Sequence, residues 1–389
     1  MENIGQATWF GWNSTQNKQD RQAFDSGIDI NSGYLKSKDQ TVKGAMIEGK
    51  RQTFGDITNR SLQSNRTLDS KGLVKAPSFV TKLQQSHSLQ HSAFCDPSLI
   101  DGSKIEKGRR DWIDIDKQNE DDPQACSAYA HSIFQYLREA ELNKRANSKY
   151  LEDMQVDVNA KMRAILVDWL VEVSEEYKLC ADTLYQAVNY IDRFLSLQSA
   201  QRSQLQLIGV TCMWLAAKYE EIYPPNVADF CYITDNTYSR EQMIQMEEVV
   251  LKRLSYELTV PTAKTFLRRL LQVCNPDEHL HFLSNYLTEL SLLDYSMLEF
   301  TPSVIAAAGI FLANLMLSRT PWDGNLRHYS SYVPADIKLC VTALSSVHLA
   351  VGNSTQLAAI REKYAHARFH EVSRLPSITI MPYMFSNQH

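Results

Sequence analysis

An all-α chain is predicted: two tandem five-helix bundles, preceded by one further helix and a long disordered N-terminal arm. Three observations carry this. Residues 162–173 are apolar round most of a helical circumference, as in a helix with other helices packed about it. No segment shows strand character with turn residues on both sides. Helix-sized segments recur at an offset of about one hundred residues, pointing to two copies of one unit.

The bulk properties narrow the class. With 44% hydrophobic and 22% charged residues, the 389-residue chain has the composition of a soluble globular protein. A formal net charge of −5 argues against a nucleic-acid binder, which would carry a basic face. No charged-then-apolar leader opens the sequence, and the longest apolar run, 304–317, is broken by Asn314 and too short to cross a bilayer. No membrane association is expected. The seven cysteines include no Cys-x-x-Cys pair and have no histidines at zinc spacing, so reduced, buried thiols are expected, with no metal and no cofactor.

Residues 1–122 read as the arm, rich in Ser, Gln, Asn, Gly, Lys and Asp. They hold too little periodic apolar surface to offset the entropy of ordering. Trp9, Phe10 and Trp12 stand out there, as a short binding motif or a chance cluster. After Pro123 the composition shifts. Ile133, Tyr136, Leu137 and Ala140 mark an amphipathic helix that either caps the bundle or meets a partner, and a polar loop follows over 143–159.

The first bundle is expected over 162–177, 181–195, 205–221, 227–233 and 240–254. On the first of these helices Met162, Ile165 and Trp169 form an apolar strip with Glu172 beside it, while Asp168 and Glu175 occupy the narrow polar sector. Arg163 needs a partner, because an isolated buried charge costs several kcal/mol. The second helix lines up Leu184, Val188, Ile191 and Leu195. The third holds Gly209, Ala216 and Ala217, small enough for close approach, and Pro224-Pro225 stops it. The second bundle is expected over 265–273, 280–293, 302–317, 334–351 and 357–364, with 304–314 echoing 207–217. Domain bounds of 123–258 and 259–372 follow, with a tail over 373–389.

Four motifs occur in order: Met162-Arg-Ala-Ile-Leu-Val-Asp-Trp-Leu-Val-Glu-Val173, Tyr190-Ile-Asp-Arg-Phe-Leu-Ser196, Leu215-Ala-Ala-Lys-Tyr-Glu-Glu-Ile-Tyr-Pro-Pro225 and Met246-Glu247. Together they resemble the cyclin box. The Glu-Glu-Tyr-Lys-Leu and Glu-Glu-Ile-Tyr-Pro-Pro wording is most similar to A-type cyclins, over roughly residues 124–372. The resemblance implies a non-catalytic regulatory subunit of a cyclin-dependent protein kinase. It would act at S phase and the G2/M transition, in nucleus and cytoplasm. Arg51, Phe54 and Asn59 resemble a destruction box read by the anaphase-promoting ubiquitin ligase, with Phe54 where the pattern has Leu.

Site roles follow from the resemblance. Arg163 and Asp192 would form a buried structural pair. Lys218 and Glu247, at the ends of the third and fifth helices, would hydrogen-bond the kinase backbone. Ile133, Tyr136, Leu215, Tyr219, Leu251, Tyr256 and Leu258 would add apolar contact, and the tyrosine hydroxyls would need partners in a dry interface. Met162, Ile165, Trp169, Glu172, Leu205 and Gln206 would form a groove for Arg-x-Leu motifs of substrates and inhibitors, Glu172 meeting the Arg. The alternatives are a B-type cyclin or another two-box scaffold of the transcription-factor or retinoblastoma kind. A helical enzyme has no His-Asp dyad, phosphate loop or zinc motif behind it, and His279 and His281 read as surface or capping residues.

Overall fold

A computed structural model describes residues 112–385. Its described residues are helical, with no strand among them. In chain order they form α1 (Ser127–Asn143), α2 (Tyr150–Asp153), α3 (Ala160–Glu176), α4 (Ala181–Leu197), α5 (Leu205–Glu220), α6 (Val227–Ile233) and α7 (Arg240–Arg253). The second bundle follows as α8 (Ala263–Cys274), α9 (Glu278–Leu290), α10 (Pro302–Met316), α11 (Gly324–Ser330) and α12 (Pro334–Gly352), and α13 (Ala359–Lys363) comes last. The degron-like segment 51–59 and the Trp9–Trp12 cluster lie outside the described residues.

Local chemistry starts these helices where the sequence says it should. Asn159 accepts from the Met162 amide at the head of α3, Asn226 and Ser239 form capping boxes with Asp229 and Gln242, and Asp277 caps α9. Pro302 and Pro334 sit in the first turns of α10 and α12, where a missing amide proton is harmless. Gly209 lets α5 ride close on α3: a Cβ there would meet Leu166 Cδ1 at 2.6 Å.

The repeat is real, but its membership differs from the expectation. Short α11 was not anticipated, and it takes the place in the second bundle that short α6 takes in the first. Helix α12 is then the fifth member. The segment expected as fifth, near 357–364, belongs to neither count: α13 crosses to lie on α3 of the first bundle. Helix α12 is also long and apolar enough to cross a membrane by length and composition, yet Ile337, Cys340, Val341 and Leu344 are buried in the bundle.

Both edges of the domain plan need correction. Residues 112–122, read as arm, pack on the second bundle. Trp112 stacks on His328 with ring centroids 3.8 Å apart, and the Asp116 carboxylate meets the Arg269 guanidinium in two 2.7 Å bonds. The tail from 373 is tied down as well, through Ser345 to the Ile378 carbonyl and by Phe385 stacked on Phe311 at 5.2 Å. Aromatic and paired side chains at wide spacing carry no helical period, so no local pattern marks these segments as packed.

One buried cation holds the two bundles in register. Arg163 places Nε and Nη2 on the two Asp192 oxygens, both at 2.7 Å, and Nη1 on the Leu292 carbonyl at 2.8 Å across the seam. Tyr150, from a turn of helix inside the supposed polar loop, donates to Asp192 at 2.9 Å. Burial works against the guanidinium charge, but Asp192 and Tyr150 together outweigh it and raise its pKa. Asp192→Asn strands that cation and is expected to lower unfolding stability by about 3–5 kcal/mol in denaturant titration. Arg163→Met with Asp192→Leu should recover much of the loss; a double variant as unstable as Asp192→Asn would contradict this account.

Candidate functional site

The two charged residues expected to meet a partner come together. Lys218, in the last turn of α5, forms an ion pair with Glu247, and its ammonium lies 3.7 Å from the centroid of the Trp214 ring. Glu247 is mid-way along α7, not at its end. Both side chains keep some solvent access, so the pair forms a polar spot on a partly apolar rim.

The surrounding residues divide into surface and support. Tyr136 is 60% and Tyr256 64% exposed, while Ile133, Leu251 and Leu258 are half-buried. Leu215, at 4% exposure, is core and offers a partner almost nothing. The Tyr219 hydroxyl has a partner within the chain, the Thr259 hydroxyl at 2.6 Å. Lys144, just beyond α1, bonds the Thr259 carbonyl at 3.1 Å and so ties the N-terminal helix to this region. The buried Glu141 carboxylate fixes α1 from the other side by accepting from the Ser303 amide and hydroxyl at the head of α10. Tyr129, 66% exposed and four residues before Ile133, continues the α1 strip. The same helical spacing that marked Ile133 and Tyr136 could have found it.

The groove residues also separate by depth. Trp169 and Gln206 are half-buried and Glu172 exposed, whereas Met162 and Ile165 show only a sliver of surface. Leu205 has no exposed surface, so it is a floor beneath α3 and α5 and not a contact.

Asp168, placed by the sequence in a polar sector, is 8% exposed. It accepts from the Ala359 amide at 3.1 Å, where α13 begins. Burial raises its carboxyl to about 7, with the Glu172 and Glu362 charges adding to the effect. Its partner lies 191 residues away, beyond the reach of any local pattern. One further cluster, Cys180, Asp182 and Glu220, brings possible metal-ligand atoms within 4.8 Å. Arg268 already supplies the cation there, bonding Asp182 at 2.6 Å, Gln186 bonds Glu220, and burial keeps the Cys180 thiol protonated. It is an inter-bundle ion pair.

Comparison with known proteins assigns both bundles. The cyclin N-terminal domain matches residues 132–259 and the cyclin C-terminal domain residues 261–378. The chain belongs to the A-type cyclins. It is 50% identical over 279 residues to Cyclin-A1-1 of Oryza sativa subsp. japonica, a match spanning 70% of this chain and 54% of that one. To the putative cyclin-A3-1 of Arabidopsis thaliana it is 49% identical over 276 residues, covering 69% of this chain and 77% of the relative. This cyclin therefore spans about half the length of the rice relative and about three quarters of the Arabidopsis one. Among solved structures, a viral cyclin from herpesvirus saimiri superposes with a TM-score of 0.51 at 21% identity, covering 55% of this chain and 96% of the viral one, which shows a shared fold.

The Asp168 carboxyl makes stability depend on pH in a definite direction. Between about pH 4 and 7 the folded chain keeps a proton that the unfolded chain has released, so its contribution falls as pH rises through that window. Asp168→Asn retains an acceptor for the Ala359 amide and removes the charge. The variant should match the parent near pH 4 and exceed it above pH 7 by up to about 4 kcal/mol, from about three units at 1.36 kcal/mol each. Parallel stability curves for the two proteins would contradict the assignment.

Proposed function

We propose that this cyclin is the non-catalytic regulatory subunit of a cyclin-dependent protein kinase, which it binds and activates. The observation that carries the reading is the Lys218–Glu247 pair set among surface aromatics, in a chain of the A-type family. A paired ammonium and carboxylate offer a donor and an acceptor to a partner's backbone, while Tyr129, Tyr136 and Tyr256 supply apolar area. Activation would be a population shift. The cyclin binds the working conformation of the kinase more tightly, the one in which the active-site Lys–Glu ion pair is formed, and so raises its share.

The finer roles rest on the family resemblance. Trp169, Glu172 and Gln206, over the deeper Met162, Ile165 and Leu205, would dock Arg-x-Leu motifs of substrates and inhibitors. Burying the motif's Leu contributes roughly 1.5–3 kcal/mol, suited to recruitment with release. Arg51, Phe54 and Asn59 would serve the anaphase-promoting ubiquitin ligase. Action at S phase and the G2/M transition, in nucleus and cytoplasm, belongs to the same proposal.

Lys218→Ala with Glu247→Ala should lower activation of the kinase, read as histone phosphorylation after capture from dividing cells, by at least about tenfold. The thermal midpoint should hardly move, since the pair is partly exposed; full activation by the double variant would sink the proposal. Trp169→Ala with Glu172→Ala should spare phosphorylation of short peptides but reduce, by roughly tenfold, that of substrates carrying the docking motif. Equal losses on both substrates would remove the groove.

A further inference from the structure

Arg-x-Leu occurs five times in the chain. Three of these lie in α4 and α8, where Leu195, Leu270 and Leu271 are buried and out of a partner's reach. The other two stand six positions apart in the arm, as Arg60-Ser-Leu62 and Arg66-Thr-Leu68, outside the described residues. Each pairs a cation with an aliphatic side chain, as the surface of α3 pairs an acid with an apolar strip. Exposed Glu172 lies one turn beyond half-buried Trp169, with Ile165 one turn further back. Along the helix axis Glu172 is about 4.5 Å from Trp169 and about 10.5 Å from Ile165. In an extended segment, side chains two positions apart point the same way with about 6.6 Å between them. One triplet can therefore set its Arg on the acid and its Leu on the strip.

We propose that segment 60–68 of this chain docks in the chain's own α3 groove and competes there with substrates and inhibitors. The proposal rests on the reading of that groove as an Arg-x-Leu site. The tether is long enough: Trp112, anchored on His328 of the second bundle, comes 44 positions after Leu68. Fully extended it spans up to about 145 Å, against a width of about 50 Å for a folded unit of this size. Charge favours the same occupant. Between 51 and 71 four cations, Arg51, Arg60, Arg66 and Lys71, outnumber two acids, Asp56 and Asp69. The end of α3 presents the acids Glu172 and Glu176 to solvent. A tethered segment acts at an effective concentration on the order of a millimolar, so it can fill a site too weak to hold a free peptide. Either triplet can seat, one at a time. Seating the first brings the degron-like segment 51–59 to the edge of the groove, because Arg60 directly follows Asn59.

The probe is a labelled peptide of residues 60–68, Arg-Ser-Leu-Gln-Ser-Asn-Arg-Thr-Leu, titrated with the full-length chain and followed by fluorescence anisotropy. Leu62→Ala with Leu68→Ala removes the internal competitor, so this variant should bind the peptide roughly tenfold more tightly than the parent. Arg60→Glu with Arg66→Glu should have the same effect, and Trp169→Ala added to either should abolish binding. The difference should persist as the protein is diluted, because competition within one chain does not depend on its concentration. Equal affinity of parent and arm variants would overturn self-docking and leave the groove standing. No binding to the arm variants would remove the groove reading, and self-docking with it. A difference that fades on dilution would place the arm in the groove of a second copy and would also overturn the proposal.

Discussion

The fork of Arg163 is the constraint on which the architecture depends. A guanidinium with almost no solvent access has to find its hydrogen bonds inside the protein, and here it makes three, to two partners. Two come from Asp192 on the neighbouring helix and one from the Leu292 carbonyl at the end of the second bundle's second helix. The same Asp192 accepts from Tyr150, so the turn that leads into the first bundle is fixed by the same charge. Apolar contact alone would let two helical bundles slide. A buried cation with directional partners gives the seam one register.

Other seam contacts follow the same logic. Arg268 of the second bundle reaches Asp182 of the first, and Lys363 bridges Glu289 and Glu175. Asp168 caps the short helix that crosses from one to the other. Glu141 carries the N-terminal helix onto the head of α10. The tyrosine-bearing strip of that helix therefore has a fixed position relative to Lys218 and Glu247. For a subunit whose proposed work is to favour one conformation of a partner, rigidity of this kind is useful, because a surface that yields would stabilise both conformations alike.

Helical spacing was enough to find most of the fold, since buried and exposed faces alternate with a period that the side chains themselves report. The apolar face of α3, the proline stops and the caps at Asn226 and Ser239 are all local. Spacing is silent where a segment carries few apolar residues or its partner is distant in sequence. Helix α11 is as short as α6, but Gly324–Ser330 has Leu326 as its one aliphatic side chain where α6 has Val227, Ala228 and Ile233, so no apolar face emerges. Tyr150 and Gln155 are buried from within a stretch whose composition is that of a loop. Trp112, Asp116 and Phe385 are held by contacts to His328, Arg269 and Phe311, each more than 70 positions away.

What the sequence determined unaided was the helical class, the doubled unit and, through its motifs, the family and the identity of the paired residues. Depth and partnership were decided by the tertiary structure. It made Leu205 and Leu215 floor and core, joined Lys218 to Glu247, and turned Asp168 from a surface acid into a buried cap. The reason is physical: periodicity reports which side of its own helix a residue occupies, whereas burial and pKa depend on what a distant segment places over that side.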